Sequence, residues 1–305
     1  MGDKVQAFIN PASGSIRITG EVEVVDADGK VIGSVESPKF CGCGLSKEKP
    51  RCDGSHKEYV KLFAEQLRNS RELVSPCMSF APMTKRAHEI RENELAYRVE
   101  AGETLVGVKV GGALDSPMST EPTSVMIFGY LTDAMQLKDS IKTADYIYPQ
   151  AEPELAFKIG KEIKTEIQLS EVLDYVSHVA VGIEIFDYRY GRAQIYATDA
   201  IADNAGAAAF VHSDWVVASE ANLEHLTVQV IKNEDVVDTA PLTAIRGNPW
   251  LSLVLLSKVL VENGVKLSAG MVVFSGSATK GLHLVAGNEY TVEIKGLGRV
   301  DLKAI

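Results

Sequence analysis

Four side chains able to bind a soft metal fall within CGCGLSKEKPRCDGSH, positions 41–56: Cys41, Cys43, Cys52 and His56. Three thiolates and one imidazole make a ligand set for an iron–sulfur cluster or a zinc ion. A second set offers hard oxygen donors. Glu152 and Glu154 alternate in PQAEPELAFKIG, and residues two apart on a strand point to one side. Glu184 sits among apolar neighbours in VAVGIEIFDYR, where an unpaired carboxylate is costly. Three carboxylates from two strands suit Mg²⁺ or Mn²⁺, with positions left for water or substrate. By spacing alone, the Glu-Pro-Glu fits a solvated strand entrance equally well. Asp187 and Arg189 follow closely and are candidate substrate contacts, fitting also a supporting role around the ion or a structural ion pair.

The elements that must hold these groups are mostly strands. ITGEVEVVDADGKVIGSV alternates apolar and polar residues on both sides of Asp28-Gly29, a hairpin signal. Tyr59, Val60, Leu62, Phe63 and Leu67 recur near helical spacing, and a second helix is expected from Thr84 to Glu100. Its expected apolar stripe is Ala87, Ile90, Leu95, Ala96 and Val99. Beyond it come TLVGVKVGG, VMIFGYL, ELAFKIGKEI, HVAVGIEIFDY, LTVQVIKN, MVVFSGS and EYTVEIKG, all strand-like, and one helix from Pro249 to Asn263. The fold class is therefore α+β and strand-dominated: a small β-rich module, 1–58, then a mixed β-roll domain with peripheral helices, 59–305. The first module is too short to bury much core, and a metal cluster would staple it.

The net charge is −10, and after residue 60 there are 23 basic against 32 acidic side chains. That balance argues against nucleic acid as a partner. The longest apolar run, Trp250 to Val261, is interrupted by Lys258 and falls short of the roughly 18 residues a membrane span needs. MGDKVQAF lacks a basic stretch followed by an apolar one, so no signal peptide and no membrane association are expected. Of four cysteines only Cys77 lies outside the cluster segment. A disulfide framework is not expected, and a reducing cytoplasm fits best. Cys77 reads as a small hydrophobe. His88, His178, His212, His225 and His283 sit in no metal spacing and read as structural or surface residues.

C-x-C-x2-S-x3-P-x-C-D-G-S-H resembles the CDGSH iron–sulfur domain. The resemblance implies a [2Fe-2S] cluster on Cys41, Cys43, Cys52 and His56. The remainder resembles the fumarylacetoacetate hydrolase-like superfamily, in its 2-oxopent-4-enoate hydratase and 2-oxo-3-hexenedioate (4-oxalocrotonate) decarboxylase group. The segments LVGVKVG, FGYLTDAM, EPELAFKIGKEI, IEIFDYRY, DNAG, GNPWLSLVLL and SGSATKGLHLVAGNEYTVEIKGLGRV carry it, in order. It implies that Glu152, Glu154 and Glu184 bind Mg²⁺ or Mn²⁺, that Lys109 is the active-site lysine, and that the substrate is a small 2-oxo acid.

Hydratases of that group place an Asp where this chain has Ile127, which cannot move a proton. GYLTDAM and GNP likewise favour decarboxylation over hydration. An electron-transfer or redox-sensing protein with a non-catalytic C-terminal scaffold is the alternative from another class. Two departures bear on the substrate. Gly206-Ala207-Ala208-Ala209 replaces a hydroxyl-rich stretch. Lys280, beside Thr279, stands where relatives carry a small residue, and both are candidate substrate contacts. Self-association, common to both families, implies a homo-oligomer, and a cluster implies a possible redox partner.

A protonated imidazole cannot ligate, so loss of the visible spectrum should accelerate as pH falls from 8 to 5.5. A bleaching rate that is flat over that range would remove His56 as the labile ligand.

Overall fold

The computed structural model describes residues 6–9, 16–25, 28–40, 81–112, 126–190 and 197–305. Cys41, Cys43, Cys52, His56, Cys77 and the helix expected at 59–67 lie outside the described residues. Before them come five strands: β1 (Gln6–Ile9), β2 (Ile16–Thr19), β3 (Glu21–Val25), β4 (Val31–Glu36) and β5 (Lys39–Phe40). β3 and β4 pair antiparallel, as the Asp28-Gly29 signal requires, and Gly29 takes the positive φ of 80° that such a turn needs. β1, β2 and β5 form a separate small sheet. Val25, Val31 and Ile32 of the hairpin are exposed, in line with a module that buries little core.

The rest builds two larger sheets. Its strands are β6 (Leu105–Gly112), β7 (Met126–Thr132), β8 (Ser140–Ile141), β9 (Pro149–Ile159), β10 (Val176–Asp187), β11 (Ala207–His212), β12 (Val216–Val217), β13 (Thr227–Lys232), β14 (Asp235–Pro241), β15 (Val272–Phe274), β16 (Leu282–His283), β17 (Glu289–Ile294) and β18 (Gly298–Ala304). Eight of them run β11-β10-β9-β15-β6-β7, with β12 on β10 and β16 on β9. Five run β14-β13-β17-β18-β8. The helices are α1 (Ala81–Glu100), α2 (Val172–Tyr175), α3 (Ala197–Ala202) and α4 (Trp250–Glu262).

Strict alternation makes the eight-stranded sheet two-faced. Val108, Val110, Leu155, Phe157, Val179, Val181 and Ile183 face the main core. That core also takes Val292, Val300 and Leu302 from the second sheet and Leu253, Leu256 and Leu260 of α4. The leucine spacing of three and four is that of a helix with one buried stripe. The opposite face carries Lys109, Glu152, Glu154 and Glu184 beside a smaller apolar cluster of Leu131, Ala156, Ala180, Phe210 and Phe274.

α1 begins three residues before the expected Thr84, and its buried side keeps Ala87, Ile90 and the half-buried Leu95 of the expected stripe but not the rest. Ala87, Ile90, Arg91 and Glu94 are buried, whereas Ala96 and Val99 are exposed. Charge is accommodated there by partners. The Arg91 guanidinium lies 3.8 Å over the Phe128 ring and its Nη1 donates to Phe128 O at 3.2 Å. Glu94 pairs with Arg98 one turn on.

β7 closes one edge of the sheet, and Asn204 seals it. The Tyr130 N–H donates to Asn204 Oδ1 at 2.7 Å, and Asn204 Nδ2 donates back to Tyr130 O at 3.0 Å. The side-chain amide thus stands in for one residue of a missing strand. To reach there the chain holds Asn204, Ala205 and Gly206 at φ 53°, 54° and 69°. The same loop presses on Gly129, where an added Cβ would stand 2.1 Å from Asn204 O. Gly129→Ala should therefore cost about 3 kcal/mol or more, because a backbone atom cannot swing aside. Chemical denaturation measures this, and a loss below about 1 kcal/mol would mean that the loop yields freely.

Candidate metal and substrate site

Register brings the predicted acids together. Glu152 on β9 lies directly opposite Glu184 on β10, and Glu154 lies opposite Gly182. One carboxylate oxygen from each of Glu152, Glu154 and Glu184 falls within 4.8 Å of the others. Lys109 arrives from β6, where its strand neighbour is Phe274 of β15, and its Nζ sits 3.0 Å from Glu184 Oε2. Lys109, Glu154 and Glu184 are almost wholly buried. Space for this cluster depends on Gly182, where a Cβ would meet the Phe274 ring at 2.5 Å.

The electrostatics leave the acids short of compensation. Burial pushes Glu184 up to about 8, against the pull of Lys109 and with the push of Glu152. Burial, then the charge of Glu184, raises Glu154 well above the usual carboxylate range. Burial draws Lys109 down, but Glu184, Glu152 and Glu154 together outweigh it, so its ammonium is retained. Glu154 Oε2 accepts the Gly276 N–H at 2.8 Å. Among the described residues, Glu154 Oε1 and Glu184 Oε1 have no hydrogen-bond partner. Buried carboxylate oxygens without donors, converging from two strands, fit a divalent cation. Ionised, three carboxylates and one ammonium carry a formal −2, which one such ion cancels.

Asp187 falls on the other side of β10 from Glu184, three residues on. Its carboxylate accepts the N–H of Ile147 at 3.1 Å and of Tyr148 at 2.7 Å. Arg189 binds Asp203 (Nε to Oδ1, 2.6 Å) and the carbonyl of Asp203 at 3.1 Å, with Asp187 3.9 Å away. Both residues thus join the end of β10 to its neighbouring loops. Thr279 and the exposed Lys280 lie in the loop that follows β15. That loop runs along β9: Gly276 N reaches Glu154, and Ala278 N donates to Pro153 O at 3.0 Å.

Ile127 is 5% exposed and pairs with Gly111, on the same face as Lys109 and next to it along the strands. Of the Gly206–Ala209 stretch, only the first part concerns this face. A Cβ on Gly206 would meet the Phe186 ring at 2.1 Å, and Ala207 packs with Phe210. Ala208 and Ala209 pack with the main core, so substitution there leaves the site untouched. Sequence reasoning missed Phe186, whose ring lies 5.4 Å from Lys109 Nζ, and Gln150, which precedes Glu152 by two. The period-2 rule that paired Glu152 with Glu154 also reaches Gln150.

Glu154→Gln should weaken Mn²⁺ binding at least tenfold in calorimetry while the metal-free protein melts no lower than the wild type. The substitution removes a ligand charge and, without metal, also removes a buried repulsion. Unchanged affinity together with a lowered melting temperature would make Glu154 a structural acid instead.

Residues 13–57 match the family described as iron-binding zinc finger, CDGSH type. A 4-oxalocrotonate decarboxylase from a Pseudomonas species is 31% identical over 223 residues, 72% of this chain and 87% of that protein. A 2-hydroxyhexa-2,4-dienoate hydratase from Comamonas testosteroni is 29% identical over 82% of this chain and 98% of its own length. The solved structure of 4-oxalocrotonate decarboxylase from Pseudomonas putida G7, complexed with magnesium and adipate, superposes with a TM-score of 0.75 at 24% identity. It covers 82% of this chain and 98% of that one, and it establishes the shared fold. Behind an N-terminal CDGSH segment, the chain belongs to the fumarylacetoacetate hydrolase-like family of 4-oxalocrotonate decarboxylases and dienoate hydratases.

Proposed function

We propose that the protein is a divalent-metal-dependent lyase that decarboxylates a 2-oxo-3-hexenedioate-type acid. The observation that carries this reading is the buried face on which Glu152, Glu154, Glu184 and Lys109 converge beside an apolar Ile127. Glu152, Glu154 and Glu184 would hold Mg²⁺ or Mn²⁺. Bound there, the ion supplies Lewis-acid stabilisation for negative charge at a 2-keto oxygen.

In the reaction the bond from C5 to the distal carboxyl carbon breaks and CO2 departs. Its electron pair spreads through the alkene to the keto oxygen, and protonation there gives 2-hydroxypenta-2,4-dienoate. Lys109 places a permanent positive charge beside the developing dienolate. Phe186, Phe210 and Phe274 wall the site and keep water out. Ile127 offers no group to move a proton, which disfavours addition of water.

Hydration of a dienoate is the second reading, favoured by the 29% identity to a hydratase. The Cys41, Cys43, Cys52 and His56 set would carry a [2Fe-2S] cluster in a module ending near residue 58, ahead of a lyase domain at 59–305. The lyase step transfers no net electron, so the cluster acts as a staple, a sensor or an electron carrier with its own redox partner. A homo-oligomer in a reducing cytoplasm completes the reading. No helix among the described residues is long and apolar enough to cross a membrane.

Product analysis by NMR tests the assignment, with Mg²⁺ and either 2-oxo-3-hexenedioate or 2-hydroxypenta-2,4-dienoate. Loss of CO2 from the first is expected. Water addition to the second alone would make the protein a hydratase, and no reaction with either would move the substrate to another 2-oxo acid.

A further inference from the structure

The polar face of β9 does not end at the acids. Gln150 lies two residues before Glu152, hence about 6.6 Å further along the same face. In register it is flanked by Phe186 on β10 and His283 on β16. Gly281 lies directly over it: a Cβ there would stand 2.6 Å from Gln150 Oε1 and 3.4 Å from Glu152 Cγ. The His283 ring is itself fixed. It stacks on Tyr148 with centroids 4.0 Å apart and 7° between planes, and its Nδ1 lies 3.1 Å from Pro149 O. No hydrogen-bond partner for the Gln150 amide occurs among the described residues. A half-buried amide level with Phe186 and His283, beside the carboxylate cluster and with room above it at Gly281, is available as a donor to a ligand at the site.

We infer that Gln150 is a specificity residue that hydrogen-bonds the distal carboxylate of a dicarboxylic 2-oxo acid whose keto-acid end lies at Glu152, Glu154 and Glu184. This rests on the 2-oxo acid reading above and names the residue that recognises the far carboxylate. The four carbons beyond a keto carbon span a distance comparable to the step from Glu152 to Gln150. Phe186 and His283 would sandwich the intervening carbons. The neutral amide orients the far carboxylate without a full countercharge. A countercharge would stabilise the ground state and be lost as CO2 leaves, so a neutral donor suits a group that must depart. Lys280, exposed on the loop next to Gly281, supplies long-range attraction and not the contact itself.

The test is calorimetric binding of 2-oxoadipate and 2-oxohexanoate to the Mg²⁺-loaded full-length protein, neither ligand having an alkene through which to react. They match in length and keto-acid end and differ only in the distal carboxylate. The wild type should prefer 2-oxoadipate at least tenfold. Gln150→Met, close in volume and with no internal hydrogen bond to lose, should cut that preference to about twofold and leave 2-oxohexanoate within threefold of wild type. Lys280→Ala should keep most of the preference. Equal wild-type affinities, a preference that survives Gln150→Met, or one abolished by Lys280→Ala instead would each overturn the assignment. If the loaded wild type binds neither ligand, the 2-oxo acid reading falls and the Gln150 assignment with it.

Discussion

Three carboxylates confined to one buried patch are the constraint around which this domain is arranged. At 4.8 Å and an effective dielectric of about 20, each ionised pair repels by roughly 3.5 kcal/mol. Lys109 offsets part of that, but one ammonium cannot balance three charges. Burial, with this repulsion added to it, is why Glu184 and Glu154 lie above the usual carboxylate range in the absence of a further cation. Such a patch survives only on a scaffold too stiff to splay. Eleven consecutive residues of β9 and twelve of β10 supply it, paired along nearly their whole length.

The two-faced sheet explains how a stiff scaffold and a charged site coexist in one layer. Odd positions of β9 and β10 feed the main core, and even positions feed the site, so neither set disturbs the other. Room on the site face comes from absent side chains. Gly182 yields to Phe274, Gly206 to Phe186, and Gly281 to Gln150 and Glu152. Gly182 and Gly206 are each tied to one ring, so space and side chains were set together there. At Gly206 the positive φ of 69° adds a backbone reason for the same residue.

What was legible in the sequence follows the same divide. Alternation with period two made Glu152 and Glu154 readable as a pair, and Glu184 stood out as an acid inside an apolar run. Local order also revealed the Asp28-Gly29 hairpin and α4 almost to the residue. Tertiary compensation was not legible. Arg91 and Glu94 fall outside the apolar stripe expected for α1, because the Phe128 ring, the Phe128 carbonyl and Arg98 that accommodate them are visible only in the fold. Lys109 sits in Val-Lys-Val and looks like any exposed lysine of an alternating strand. It was identified by resemblance, whereas its ion pair with Glu184 depends on a strand order that local patterns do not encode. DNAG reads as a turn, but nothing local says that Asn204 completes the edge of β7.

The apolar half of the site bears most directly on which reaction it runs. Addition of water needs a group that holds the nucleophile and removes its proton. Apart from Glu184 and the other acids that would hold the ion, the neighbours of Lys109 are Ile127, Ala207, Phe186 and Phe274, none able to do so. At Gly206 the Phe186 ring already fills the place a side chain would take. A hydroxyl there would require a smaller residue at 186, removing the ring beside Lys109. At position 206 the aromatic wall and the absent side chain are therefore linked. The carboxylates and Lys109 are the ionic groups of a face lined largely by rings and aliphatic side chains, where developing enolate charge is stabilised strongly. Such a face suits departure of CO2 better than addition of water.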